Sequence, residues 1–313
     1  MDIYQGLDKI KGKYDNVVMA LGNFDGVHLG HRELIKKAME LADRVDGTPG
    51  VFTFDPHPMR VLQPDSSPPM LISKEDKIQI LSELGIRLLI ICPFTKEISE
   101  LTPENFVRQI LVDKLNASGV VIGYNYNFGY HGSGTPEILA QLGDKYGLKV
   151  VIVPPVRYND TEVSSTLIRS LLLKGDVCEA ARYLSYHPFI VSRVVAGDRR
   201  GRQIGYPTAN LNLPDHVLIP ANGVYAVRVH IKGDIYKGVA NVGTKPTFNL
   251  NRPKNLEVHC FDFHENIYSS KIKVEFIKRI RGEKEFATVS ELVSQINDDA
   301  KKAKHILVKR EII

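Results

Sequence analysis

Two histidines three residues apart carry the most specific chemistry in this chain of 313 residues. They lie in Gly22-Asn23-Phe24-Asp25-Gly26-Val27-His28-Leu29-Gly30-His31, directly after the apolar run Val17–Leu21, which reads as a buried strand. At a helix start, residues three apart share one side. Backbone N–H groups and the helix dipole there favour phosphate. Two imidazoles add donors that can follow charge onto phosphate oxygens, and Gly30 leaves room for phosphates to approach. The segment holds no covalent nucleophile, so stabilising a transferring nucleotidyl group is the chemistry that fits. Two exposed histidines on a surface helix are the plain alternative; the strand and glycine turn ahead of them favour the functional reading.

Ser164, Ser165 and Thr166 form a helix start with Arg169 one turn on. Their hydroxyls are N-cap candidates first. With the N–H groups of the same turn they can also bind a phosphate, and Arg169 adds a fixed charge. A further constellation is Gly201-Arg202-Gln203-Ile204-Gly205-Tyr206-Pro207-Thr208-Ala209-Asn210. Its two glycines permit a loop that comes close to phosphates. Thr208 and Asn210 are two apart, so in an extended stretch they point the same way. A hydroxyl and an amide oxygen are hard ligands suited to Mg2+ shared with ATP phosphates; a β-bulge with polar side chains is the alternative.

The elements that must position these groups fall into two parts. Val17–Leu21, Gly50–Phe54, Arg87–Cys92, Gly119–Gly123 and Lys149–Val153 are strand-like runs separated by helical stretches, the first from Gly30 to about Val45. Strands apolar throughout and separated by helices imply a parallel sheet covered on both faces. Ligands then bind beyond the carboxyl ends of the strands. Near Tyr186-His187-Pro188 the pattern changes to short β-rich runs with glycine turns, including a hairpin signal around Lys232-Gly233-Asp234. A small antiparallel barrel or sandwich is expected there. Thr288 and Glu291 then open a final helix. The domain boundary is expected at 185/186.

The net charge of +5 is spread thinly, and 43% hydrophobic and 25% charged residues exclude a disordered chain or a disulfide scaffold. No basic–aromatic stripe calls for nucleic acid. Cys92, Cys178 and Cys260 form no CxxC pair, so neither a zinc site nor a disulfide framework is expected. No signal peptide and no apolar run of membrane-spanning length are seen, and a cytoplasmic location is expected.

The first segment resembles the HxGH nucleotidyltransferase superfamily, and its longer form is similar to prokaryotic FAD synthetases. Phe54-Asp55-Pro56-His57-Pro58 looks like that family's F-x-P-H-P loop. Ile122-Gly123-Tyr124-Asn125-Tyr126-Asn127-Phe128-Gly129 looks like its flavin-lining segment, and Val163-Ser164-Ser165-Thr166-Leu167-Ile168-Arg169 like its I-S-S-T-x-I-R motif. Asn127 stands where the family carries arginine. The Gly201–Leu211 string resembles the riboflavin kinase module. So do Gly238–Phe248 and the Leu256-Glu257-Val258-His259 run with Asp262 beyond it.

The resemblance implies a Rossmann-like α/β nucleotidyltransferase over 1–185, followed by an antiparallel β-barrel with a C-terminal helix over 186–313. It implies phosphorylation of riboflavin by ATP to FMN, then adenylyl transfer from ATP to FMN, giving FAD and pyrophosphate. His28 and His31 are then catalytic in the second step and Glu257 is the base of the first, with Asp262 a rival. ATP falls to Gly22, Asn23, Phe24, Gly30, Ser164, Ser165, Thr166 and Arg169, and to Gly201, Arg202 and Gly205. Flavin falls to His57, Asn125, Phe128 and Arg281, the last paired with Phe286. Mg2+ falls to Thr208 and Asn210. On the residues alone, His57 can be a turn residue, Asn125 a packed strand end and Glu257 an outward strand carboxylate. A chain keeping one activity, or a flavin-binding regulator without turnover, is the alternative function.

Overall fold

A computed structural model describes all residues except 9, 198–200, 202–204, 245–253 and 309–313. The described chain divides into two compact units, Met1–Pro68 with Lys74–Val163, and Pro69–Ser73 with Ser164–Ile313.

The first unit is built on a parallel sheet of β1 (Asp2–Gln5), β2 (Val17–Leu21), β3 (Thr48–Phe54), β4 (Leu88–Cys92), β5 (Ala117–Gly123) and β6 (Lys149–Val153) in the order β1-β4-β3-β2-β5-β6. Every residue of β2 and β4 is buried. That is why these strands are continuously apolar: helices cover both faces and leave no solvent side to mark with polar residues. Helix α1 (Leu29–Arg44) buries Leu34, Ile35, Ala38, Leu41 and Ala42, a stripe at helical spacing. The short helix α2 (Pro58–Leu62) follows β3. Helix α3 (Lys74–Glu83) turns Asp76, Lys77, Ile80 and Leu81 inward.

Between β4 and β5 run α4 (Lys96–Ser99) and α5 (Pro103–Asn105), the latter continuing as Phe106–Val112. There Asp113 and Leu115 donate to carbonyls five residues back, a π turn. Thr102 caps α5 and Thr135 caps α6 (Pro136–Tyr146), as their Thr-Pro-Glu starts predict. The edge strand β1 and the hairpin of β7 (Arg157–Tyr158) and β8 (Thr161–Glu162) carry no clear sequence signal.

Strand order fixes where ligands can sit. The chain passes from β2 through β3 to β4 on one side, then crosses to β5 and β6 on the other. The order reverses at β2, and the loops after β2 and β5 flank that switch point.

In the second unit, helices α7 (Ser165–Lys174) and α8 (Val177–Leu184) precede a closed antiparallel barrel. Its strands are β9 (Phe189–Val195), β10 (Ala209–Leu211), β11 (Gly223–Ile231), β12 (Asp234–Thr244), β13 (Lys254–Cys260) and β14 (Lys271–Arg281), in the order β10-β13-β12-β11-β14-β9. Closure decides between the barrel and sandwich readings. Lys232 and Gly233, with φ of 52° and 101°, make the two-residue hairpin turn between β11 and β12. Helix α9 (Val289–Val308) ends the described chain. Thr288 caps the helix by accepting from the Glu291 N–H at 3.2 Å, and Glu291 reaches back one residue past the cap to the Ala287 N–H at 3.1 Å, a variant of the capping box.

Candidate active sites

The turn after β2 delivers both histidines. Phe24, Gly26 and Val27 have φ of 49°, 79° and 39°, so the chain reverses tightly before His28. His28 is 6% exposed and is the N-cap of α1. Its Nδ1 accepts from the His31 N–H at 3.4 Å. An acceptor Nδ1 places the ring proton on Nε2. The two imidazoles stack at 3.7 Å between centroids, 17° from parallel, and Phe24 lies 5.1 Å from His31. A Cβ on Gly30 would stand 3.1 Å from His28 Cε1. Glycine there makes room for the His28 ring, where the sequence suggested room for phosphate.

Burial, and after it the charges of His28 and Lys77, holds the His31 pKa well below 6.5. The His31 Nδ1 is shielded from solvent and has no hydrogen-bond partner among the described residues. Thus the His31 ring is neutral near pH 7, and the His28 ring, its Nδ1 engaged in the cap, keeps its Nε2–H as a donor. Two residues that motif reading passed over support the turn: Lys77 Nζ donates to the Asn23 carbonyl at 2.8 Å, and the Thr53 hydroxyl donates to the same oxygen at 3.1 Å. Charge on the apolar stripe of α3 was the available signal.

The remaining candidates of the first unit lie at the same carboxyl edge. His57 follows β3 and caps α2, its Nδ1 accepting from the Met59 N–H at 3.2 Å. Asn125 follows β5 and is exposed, while the Asn127 amide donates to the Asn125 carbonyl at 3.4 Å. Phe128 differs in its surroundings: it is 6% exposed in the core, with Phe106 and Tyr126 at 5.6 and 5.9 Å.

In the second unit, Ser164 Oγ caps α7 by accepting from the Leu167 N–H at 3.2 Å, and Ser165 and Thr166 open that helix. Arg169 Nε donates to the Pro69 carbonyl at 2.8 Å.

The barrel assembles the other constellation on its outer surface. Along β13, Leu256, Val258 and Cys260 are buried, so Asn255, Glu257 and His259 face outward. Glu257 pairs in register with Asn210 on β10 and with Asn241 on β12. Directly opposed residues share a face, so the carboxylate stands between two amides. The Asn255 amide also donates to Glu257 Oε1 at 2.7 Å. The His259 Nδ1 lies 2.8 Å from the Pro207 carbonyl, to which it donates, tying the loop that carries Thr208 to β13.

Gly201 accepts from the Tyr206 N–H at 2.8 Å, and the Thr208 hydroxyl lies 3.3 Å from where its Cβ would stand. A Cβ on Gly197 would stand 2.2 Å from the Asn210 amide nitrogen, so any larger residue there would displace the Asn210 side chain. Gly205 adopts φ 86°. Arg202, and residues 245–248 of the second kinase-like segment, lie outside the described residues. Asp262 follows β13 with φ 55°. Asn241, Asn255 and His259 were not assigned roles by motif; alternation along β12 and β13 is the signal that finds them. Arg281 grips Asp299 on α9 with Nε and Nη2, at 2.9 and 2.8 Å to Oδ2, and lies 5.8 Å from the Phe286 ring.

Comparison with known proteins agrees with this division. The chain matches FAD synthetase over residues 10–167 and riboflavin kinase over residues 184–307. It is 40% identical to the bifunctional riboflavin kinase/FMN adenylyltransferase of Bacillus subtilis (strain 168), over 94% of this chain and 93% of the relative. It is 34% identical to the protein of the same description from Escherichia coli (strain K12), over 96% of each. A solved structure described as a macrolide-efflux protein from Streptococcus pneumoniae superposes with a TM-score of 0.88 at 34% identity, over 96% of this chain and 98% of that one. Among the described residues of this chain, no helix is long and apolar enough to cross a membrane. On the two matched domains and the full-length identities, the chain belongs to the bifunctional riboflavin kinase/FMN adenylyltransferase family and is an enzyme with both domains.

Proposed function

We propose that the two activities divide between residues 186–313, which make FMN, and residues 1–185, which make FAD. In the first reaction a ribityl hydroxyl oxygen of riboflavin attacks the ATP γ-phosphorus. The bond to the β,γ-bridging oxygen breaks and ADP leaves. Glu257 accepts the hydroxyl proton, a role worth about 10²–10⁴ in rate. Gly201, Arg202 and Gly205 line the ATP phosphates, and Arg281 borders the flavin. Thr208 and Asn210 would hold Mg2+: both offer neutral oxygen donors beside the Gly197 and Gly201 cradles. Bound there, Mg2+ would neutralise phosphate charge.

In the second reaction an FMN phosphate oxygen attacks the ATP α-phosphorus. The α,β-bridging bond breaks and pyrophosphate leaves. An ionised phosphate needs no base, so the residues have only to orient it and stabilise charge. His28 and His31 do so as N–H donors, His31 in its neutral form. Gly22, Asn23 and Phe24 in the turn after β2, and Gly30 in the first turn of α1, lie under the nucleotide. Ser164, Ser165, Thr166 and Arg169 bind ATP phosphates, while His57 and Asn125 border the flavin and Phe128 of the same segment packs in the core. The reading includes a cytoplasmic location and no nucleic-acid partner.

The observation that supports this reading best is the pair of constellations, each held within one compact unit: stacked His28 and His31, and Glu257 in register with Asn210. Chromatography after incubation with riboflavin, ATP and Mg2+ tests it. Wild type makes FMN and FAD, and an H28A/H31A variant stops at FMN. An H28A/H31A protein that still makes FAD contradicts the assignment.

A further inference from the structure

Lys77 is a basic residue in the interior. It is 8% exposed on the inner side of α3, beside Ile80 and Leu81. A buried ammonium is costly unless paired. Asp25, 2% exposed, and Asp55 supply opposite charge, Lys74 opposes it, and burial itself lowers the Lys77 pKa. The ammonium is spent on one backbone atom: it donates to the Asn23 carbonyl, which also takes the Thr53 hydroxyl. Asn23 opens the turn in which Phe24 and Val27 lie in the left-handed region. A β-branched residue there is strained. Such strain persists only where the surroundings over-determine the backbone. Two donors on the Asn23 carbonyl anchor one end of the turn, and the His28 cap anchors the other.

We infer that Lys77 is a positioning residue for adenylyl transfer: its ammonium fixes the Asn23 carbonyl and, through the turn that follows, the stacked His28–His31 pair. Lys77 need not touch nucleotide. The inference rests on the assignment of adenylyl transfer to His28 and His31. It has an electrostatic consequence. His31 feels the charges of Lys77 and His28, and Lys77 those of Asp25, Asp55 and Lys74. Removing the Lys77 charge lets His31 protonate at higher pH.

The test compares wild type with K77M and K77R in FAD formation from supplied FMN and ATP. Circular dichroism and a thermal melt matching wild type report that the unit carrying Lys77 is folded, and FMN formation from riboflavin reports the other unit. K77M should lower kcat at least about tenfold while the KM for FMN stays within about threefold. Its acid limb in the kcat–pH profile should move to higher pH, and K77R should restore much of both. If K77M fails to fold, K77Q takes its place, with NMR titration of the His31 ring as the readout; a higher His31 pKa than in wild type is expected. An unchanged kcat with an unchanged acid limb, or an unmoved His31 titration, overturns the inference. FAD formation by H28A/H31A would instead sink the assignment beneath it, whatever Lys77 does.

Discussion

The Asn255 amide holds Oε1 of Glu257 at 2.7 Å from two residues earlier on the same strand, leaving Oε2 as the freer oxygen of the proposed base. A hydrogen bond to a charged group is worth about 1.5–3 kcal/mol. N255A should therefore lower kcat for FMN formation by about ten- to a hundredfold, with riboflavin KM little changed. E257Q keeps the shape and loses the base, so FMN formation should fall by about 10²–10⁴. FAD formation from supplied FMN should survive in both. Near-normal kinase turnover in E257Q would shift the base to Asp262.

His31 ties stability to pH. The ring is kept neutral in the folded chain, so its folded-state pKa lies below the ordinary 6.5. Below about pH 6.5 the unfolded chain takes up a proton that the folded ring refuses, and protonation then favours unfolding. The contribution is complete above that pH and is lost as pH falls toward the folded-state pKa. H31Q should flatten the decline of Tm between about pH 6.5 and 5. Parallel Tm–pH curves for H31Q and wild type would contradict this.

What the sequence revealed depended on whether a residue's type matched its surroundings. β2 and β4 were legible because complete burial leaves five apolar residues in a row. The Lys232-Gly233 turn was legible because its backbone demands permissive residues. β1 escaped because it is a four-residue edge strand, largely exposed and without a periodic pattern. The π turn at Phe106–Val112 reads as ordinary helix, since its apolar face is kept. For the candidate sites, motifs pointed to His28, His31, Glu257, Thr208 and Asn210. They did not find Lys77 or Asn255, whose work is to hold another residue's atom. Such roles depend on a distance across the fold and leave no spacing to read. Phe128 shows the reverse: an aromatic in a binding-type motif packs into the core.

Arg281 tests whether one side chain serves both fold and flavin. It binds Asp299, which is 2% exposed and also accepts from Gln295 at 3.0 Å. Removing the arginine leaves a buried carboxylate unpaired, at a cost of about 3–5 kcal/mol. R281M should lower Tm strongly. R281M/D299L, which removes both charges, should recover most of the loss. If Arg281 also borders the flavin, the double variant regains Tm but keeps a raised riboflavin KM. Full recovery of both limits Arg281 to holding α9.

The Thr208 hydroxyl can be separated from the loop that carries it. Val is close to Thr in shape but lacks the oxygen, and the backbone restraints on this loop, Tyr206 N–H to Gly201 and Pro207 to His259, do not involve the side chain. T208V should therefore keep its Tm within about 1–2 °C. If Thr208 supplies an oxygen to Mg2+, the concentration giving half-maximal FMN formation should rise about tenfold or more, as expected for a lost donor to a hard cation. Saturating Mg2+ should then restore much of kcat. The Mg2+ dependence of FAD formation from supplied FMN should stay as in wild type, since the hydroxyl lies in the other unit. An unchanged Mg2+ requirement for FMN formation would remove Thr208 from the metal site and leave it a structural residue of the loop.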